Sequence, residues 1–293
     1  MYHQPPANFL YSAYLIRTKF IHPDGTSKEG LGTGFVLSIK DDFPVIVTNR
    51  HVIDIDYRQP SAKYKDFSIQ ELSITGRRAD DTTYIAIATL LRTFLVVCFA
   101  CCQKCPCPNL CGGSYTFRLY PTARFFFSEI NENDVVLIEA RIYEDPPEQF
   151  AKGLHWHFGL EHLANQEIFE NLLHPYDDAA FTGFPDQYDK LANRPILRSG
   201  KISSDPKFDY SWSGKFEGSC VAYEAFSSGG ASGSPIFAPP RGLHTIPGSR
   251  NGYLVGVNAG HIPDHNRYGG HSGISYFYKS TVILDIILEA GLI

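Results

Sequence analysis

Short apolar runs bounded by turn residues dominate this chain, and few of them are long or periodic enough to be helices. Residues 9–20 are rich in aromatic and branched side chains and close on the Pro23-Asp24-Gly25 turn, the pattern of a strand entering a hairpin. Residues 31–39 and 45–48 read as two further strands around the polar Asp41-Asp42 loop. Residues 67–75 alternate in part, and 116–119 and 124–127 extend the series. Residues 134–140 are almost continuously apolar, which predicts a strand buried on both faces. Short strands separated by turns in this way predict a barrel.

The pattern changes at Pro146-Pro147. Residues 161–173 carry Leu163, Ile168, Leu172 and Leu173 at helical spacing, so a helical connection is expected there. Strands resume at 180–184, 196–203, 219–225, 235–237, 253–258 and 272–278, enough for a second barrel. Residues 279–292 place Val282, Ile283, Ile286, Ile287 and Ala290 on one helical face, predicting a terminal helix packed on that barrel. The expected organisation is an all-β chain with a first barrel over 9–145, a connection over 146–179, and a second barrel with its helix over 180–293.

Three short segments carry candidate chemistry. In Gly229-Gly230-Ala231-Ser232-Gly233-Ser234-Pro235, glycines let the backbone turn sharply before the apolar pair Ile236-Phe237, holding Ser232 at the crest. Such a turn can aim the amides of Gly230 and Ser232 at one point, where they would stabilise an oxyanion. A serine hydroxyl also needs a base, and the base needs a carboxylate to fix its tautomer. His51, at the end of Val45-Ile46-Val47-Thr48-Asn49-Arg50-His51, and Asp134, in Asn133-Asp134-Val135-Val136-Leu137, are the candidates. A histidine without such a setting is usually a surface or satisfied core residue, and Asp54 and Asp56 read as caps of a short helical turn.

With these segments in the order His, Asp, Ser, the chain resembles the trypsin-like serine peptidases of the chymotrypsin fold. Gly32-Thr33-Gly34-Phe35-Val36, Gly183-Phe184-Pro185 and Gly200-Lys201-Ile202-Ser203 are similar to segments of the Deg/Htr and glutamyl-endopeptidase branches. The resemblance implies two six-stranded antiparallel barrels and a serine endopeptidase acting through His51, Asp134 and Ser232, with protein or peptide as substrate. The alternative is a catalytically silent or slow module of the same fold used for binding. Ala231 stands where digestive relatives carry an aspartate that pairs with a freshly cut amino terminus, so activation by such cleavage is not expected, and how the turn is held in shape stays open. The resemblance places a substrate pocket at Phe226, Val257, Asn258, Ala259, Gly260, His261 and Ser275. Phe226 offers no carboxylate to a substrate Lys or Arg. Phe226, Val257 and Ala259 imply apolar or small side chains, while His261 and Ser275 leave room for acidic ones.

Residues 85–114 fit neither barrel. An apolar run broken by Arg92 falls short of the roughly 20 residues a membrane span needs. Six of the seven cysteines then lie between Cys98 and Cys111, with only Cys220 elsewhere, which is no disulfide framework. Cys98 with Cys101 and Cys102 with Cys105 have zinc-ligand spacing, but a second pair at a distance is missing. The expectation is an acquired insertion, with zinc as the weaker alternative and no other metal or cofactor implied. Its removal would join 83–84 to 116–117 as one strand. The formal charge of −5 provides no basic surface, so no nucleic-acid partner is expected. Residues 1–6 lack the layout of a secretory signal, which makes the cytoplasm the expected compartment.

Overall fold

The structure is a computed structural model describing residues 7–40, 44–57, 63–77, 114–119, 123–139, 142–143, 156–242, 249–264 and 270–293. The first half contributes β1 (Ala13–Ile21), β2 (Ser27–Ser38), β3 (Pro44–Thr48), β4 (Ser68–Arg77), β5 (Ser114–Leu119), β6 (Phe125–Phe127), β7 (Val136–Glu139), β8 (Ile142–Tyr143) and β9 (His157–Gly159). They form a nine-stranded sheet in the order β6-β7-β3-β2-β1-β4-β5-β8, with β9 added parallel to β2. The second half contributes β10 (Asp178–Gly183), β11 (Ile196–Ile202), β12 (Cys220–Glu224), β13 (Pro235–Ala238), β14 (Tyr253–Asp264) and β15 (Gly270–Lys279). These close into a six-stranded barrel, β10-β11-β12-β15-β14-β13. The two-barrel, all-β architecture expected from the sequence is present. Among the described residues, the sheet of the first half is traced as an open path rather than a closed six-strand ring.

Helices are few. Residues 7–11 form α1 (Ala7–Tyr11) rather than the start of the predicted first strand, and Ser12 ends it by donating its hydroxyl to Phe9 O at 2.7 Å. The one-turn α2 (Arg50–Ile53) follows β3 directly. The predicted helix over 161–173 shortens to α3 (Gln166–Asn171), because Asn165 accepts the Ile168 N–H at 3.1 Å and fixes the start there. The terminal helix is α4 (Ser280–Glu289).

Alternation along three strands explains how the halves join. Val36, Ile46, Val136 and Ile138 face an inner core with Tyr14, Ile16, Leu72 and Ile74. Their neighbours Phe35, Leu37, Val45, Val47, Val135 and Leu137 face the other way, against Leu254 and Val257 of β14 and Val282, Ile283, Ile286 and Ile287 of α4. The helix therefore packs on both halves, not on the second barrel alone. Each of its four buried branched side chains contributes about 1.5–3 kcal/mol relative to exposure.

β5 pairs antiparallel with β4, with Arg77 opposite Ser114. Residues 83–84, expected to join 116–117 were the insertion removed, lie outside the described residues, and β5 enters the sheet at Ser114 beside Arg77. Residues 78–113, with Cys98, Cys101, Cys102 and Cys105, lie outside the described residues. Among the described residues no helix is long and apolar enough to cross a membrane.

Candidate active site

The pairing of β3 with β7 brings His51 and Asp134 together. Thr48 is opposite Val136 in an antiparallel register, so residues just after Thr48 run beside those just before Val136. Asp134 is 4% exposed and gives both carboxylate oxygens to one residue. Oδ1 accepts the His51 backbone N–H at 2.9 Å, and Oδ2 lies 2.5 Å from His51 Nδ1. Asn49 donates its side-chain amide to Asp134 O at 2.7 Å, fixing the backbone of the same residue. A carboxylate at Nδ1 selects the tautomer protonated there and leaves the Nε2 lone pair available as a base.

The turn bearing Ser232 is tied through β2 to the strand that leads to His51. Thr33 N–H donates to Ser232 O at 2.8 Å, and Thr33 O accepts the hydroxyl of Thr48, three residues before His51, at 2.7 Å. Gly233 lies so close to Thr33 O and Thr48 Oγ1 that a Cβ would overlap both, and its φ of +87° disfavours any side chain. The Ser232 hydroxyl donates to Ala259 O at 3.2 Å. Neither the Gly230 nor the Ser232 N–H has an acceptor among the described residues, whereas those of Ala231 and Gly233 are taken by Ser228 O at 3.0 Å and Asn258 O at 2.8 Å.

Asn258, expected in the substrate pocket, instead supports this turn. It is fully buried and donates through Nδ2 to Ala231 O at 2.9 Å and to Ser227 Oγ at 3.0 Å, while its Oδ1 accepts the Tyr223 hydroxyl at 2.7 Å. Burial drives the Tyr223 pKa well above its ordinary value, so this hydroxyl stays a donor. Val257 and Ala259 were expected to line the pocket, but both side chains lie in the core shared with α4, on the opposite strand face from Asn258. Gly260 sits opposite Tyr276 at a register shift in β14.

What gathers at the expected pocket is a stack of rings. Phe226, 59% exposed, lies on His271 at 4.3 Å between centroids, and His271 lies on His261 at 4.5 Å. His271 Nδ1 accepts the Gly273 N–H at 2.8 Å, and Nε2 is 3.2 Å from Ser227 N and 3.3 Å from Ser275 Oγ. Ser275 is fully buried and donates to Ala225 O at 2.8 Å. Burial first, then His261 and Arg198, hold the His271 pKa below its ordinary value. Arg198 is anchored to Phe226 O at 2.7 Å. Sequence reasoning missed His271 because it lies beyond the motifs and faces the pocket only through the β14–β15 pairing.

No protein-family model matches the chain, and no curated protein matches it. Among solved structures it is similar to the HtrA-type protease AlgW with a decapeptide, at 13% identity and a TM-score of 0.52 over 97% of this chain. The match spans 65% of the AlgW chain, less than two thirds of its length. It is also similar to the thermostable serine protease AL20 from an extremophilic microorganism, at 11% identity and a TM-score of 0.53, covering 98% of this chain and 99% of that one. The chain therefore has the fold of the HtrA-type, trypsin-like serine proteases.

Proposed function

We propose that this protein is a serine endopeptidase in which Ser232 is the nucleophile, His51 the base and Asp134 the residue that orients the base. The observation that carries the reading is the double acceptance of His51 by a buried Asp134. In the first step the Ser232 hydroxyl turns from Ala259 O to His51 Nε2. Its oxygen then attacks the substrate carbonyl carbon while the proton passes to Nε2. The carbonyl oxygen, now anionic, is received by the Gly230 and Ser232 N–H groups. His51 next protonates the leaving amine as the C–N bond breaks, and water repeats the sequence to free Ser232. No step calls for a metal or cofactor.

Peptide substrate is supported by the fold shared with a protease whose structure holds a decapeptide. The ring stack adds a preference. It offers no carboxylate to a basic side chain, while the exposed His261 can provide polar hydrogen for an acidic one. The second reading, a binding module of the same fold, is favoured by one observation: the resting Ser232 hydroxyl engages Ala259 rather than His51. Hydrolysis of an unfolded protein by wild type, Ser232→Ala and His51→Ala separates the two. The peptidase reading expects a loss of at least about 1,000-fold in both variants, and activity unchanged in Ser232→Ala would overturn it.

A further inference from the structure

The nucleophile turn has no ion pair of the kind Ala231 rules out, yet its shape is fixed from outside. In a trans peptide the carbonyl and the following N–H point in opposite directions, so an anchored carbonyl aims the next N–H. Four consecutive carbonyls are anchored. Gly229 O accepts from Asp186 N at 2.9 Å, Gly230 O from Thr33 Oγ1 at 2.7 Å, and Ser232 O from Thr33 N at 2.8 Å. Ala231 O accepts from Asn258 Nδ2 at 2.9 Å and Ser234 N at 3.1 Å. The anchors on Gly229 and Ala231 turn the Gly230 and Ser232 N–H groups away from the scaffold, and neither has an acceptor among the described residues.

Two of the four carbonyls are held by one residue of the other half. Thr33 is fully buried in β2, and every polar atom it has is engaged. Besides its bonds to the turn, Oγ1 accepts the Phe184 N–H at 3.0 Å and its carbonyl accepts Thr48 Oγ1 at 2.7 Å. It thus ties the turn bearing Ser232 to the strand that leads to His51. We infer that the oxyanion turn is held in its working shape at rest, without chain cleavage or a partner, and that Thr33 is the positioning residue that sets it. This rests on the proposed peptidase reading. A flipped 229–230 peptide, which would point a carbonyl at the developing anion, loses the Asp186 bond and strains the Thr33 bond next to it.

Thr33→Val keeps the shape of the side chain and removes its hydroxyl; Thr33→Ser keeps the hydroxyl. In the full-length protein, Thr33→Val is expected to lower kcat about 30-fold or more with KM within about threefold, as loss of preorganisation requires. Thr33→Ser is expected to recover kcat to within about threefold of wild type. Amide hydrogen exchange of Ala231, Gly233 and Ser234 should quicken about tenfold or more in Thr33→Val while β12 and β15 stay protected. Wild-type kcat in Thr33→Val, or exchange that quickens equally in β12 and β15, would overturn the inference. If wild type proves inactive, exchange alone decides. Quickening confined to the turn upholds the clamp and leaves the peptidase reading to fail separately, and no quickening sinks the clamp itself.

Discussion

Replacing Gly230 by alanine should damage rate and stability together, for two separable reasons. Gly230 has φ +86°, a conformation that costs a non-glycine residue about 1–3 kcal/mol. A Cβ there would also run into the carbonyl oxygen of Phe184, besides meeting Leu31 Cδ2 at 3.4 Å. That carbonyl belongs to a fully buried residue whose N–H is tied to Thr33, so it cannot retreat as a flexible side chain would. Overpacking of this kind costs about 1–3 kcal/mol more. The sum, about 2–6 kcal/mol, should lower Tm by roughly 5–20 °C in a chain of this size. The movement that relieves the clash displaces the Gly230 N–H, and loss of one oxyanion donor lowers kcat by about 100- to 1,000-fold. Thermal unfolding and steady-state hydrolysis of an activated ester measure the two effects on the same preparation. A variant with Tm within about 2 °C of wild type and kcat within about threefold would refute the reasoning, because the turn would then have another conformation open to it.

Asp134→Asn should keep the fold but lower kcat by about 10,000-fold, since an amide at Nδ1 no longer imposes the required tautomer; steady-state kinetics showing a loss under tenfold would contradict the role given to Asp134. Cleavage of a mixed peptide library should favour acidic residues before the scissile bond. Because His271 titrates below its ordinary value, it is neutral at pH 7 and gains charge only as pH falls through its folded pKa, so the ratio of kcat/KM for Glu over Gln should rise on acidification. A majority of cuts after Lys or Arg, or a ratio that falls on acidification, would contradict the pocket assignment. Replacing residues 78–113 by Asn-Gly should join the register partners Arg77 and Ser114 through a two-residue hairpin and leave a folded, active protein; a circular-dichroism spectrum without the strand signal would contradict it.

The strands were legible because each carries its own evidence: β2, β3 and β7 alternate or run apolar, and turns punctuate them. Their ends were less so. The predicted strand starting at residue 9 begins at Ala13, since Ser12 closes a helical turn that the aromatic pattern of Phe9 and Tyr11 conceals. Local pattern likewise marked Ser232, His51 and Asp134, each set in a short run whose chemistry is visible in neighbouring residues. Groups that act across the sheet were not visible in this way. Asn258 and Val257 are adjacent in sequence, and only the facing of β14 decides that one holds the Ser232 turn and the other packs on α4. Thr33 stood in a recognisable Gly-Thr-Gly run, but its bonds to Gly230 and Ser232 span 197 residues or more and depend on how the halves dock. His271 gives no local signal at all, since its stacking on Phe226 and His261 follows from the register of β14 and β15.

The most direct test is reaction of the folded, full-length protein with a fluorophosphonate, followed by peptide mapping of the modified site. Such a reagent bonds to a serine activated by a neighbouring base and leaves ordinary serines untouched. The account predicts one label per chain, on Ser232 rather than on Ser227, Ser228 or Ser234, with labelling lost in His51→Ala. Absence of label on Ser232 while the turn keeps its hydrogen-exchange protection, or labelling that persists without His51, would contradict it.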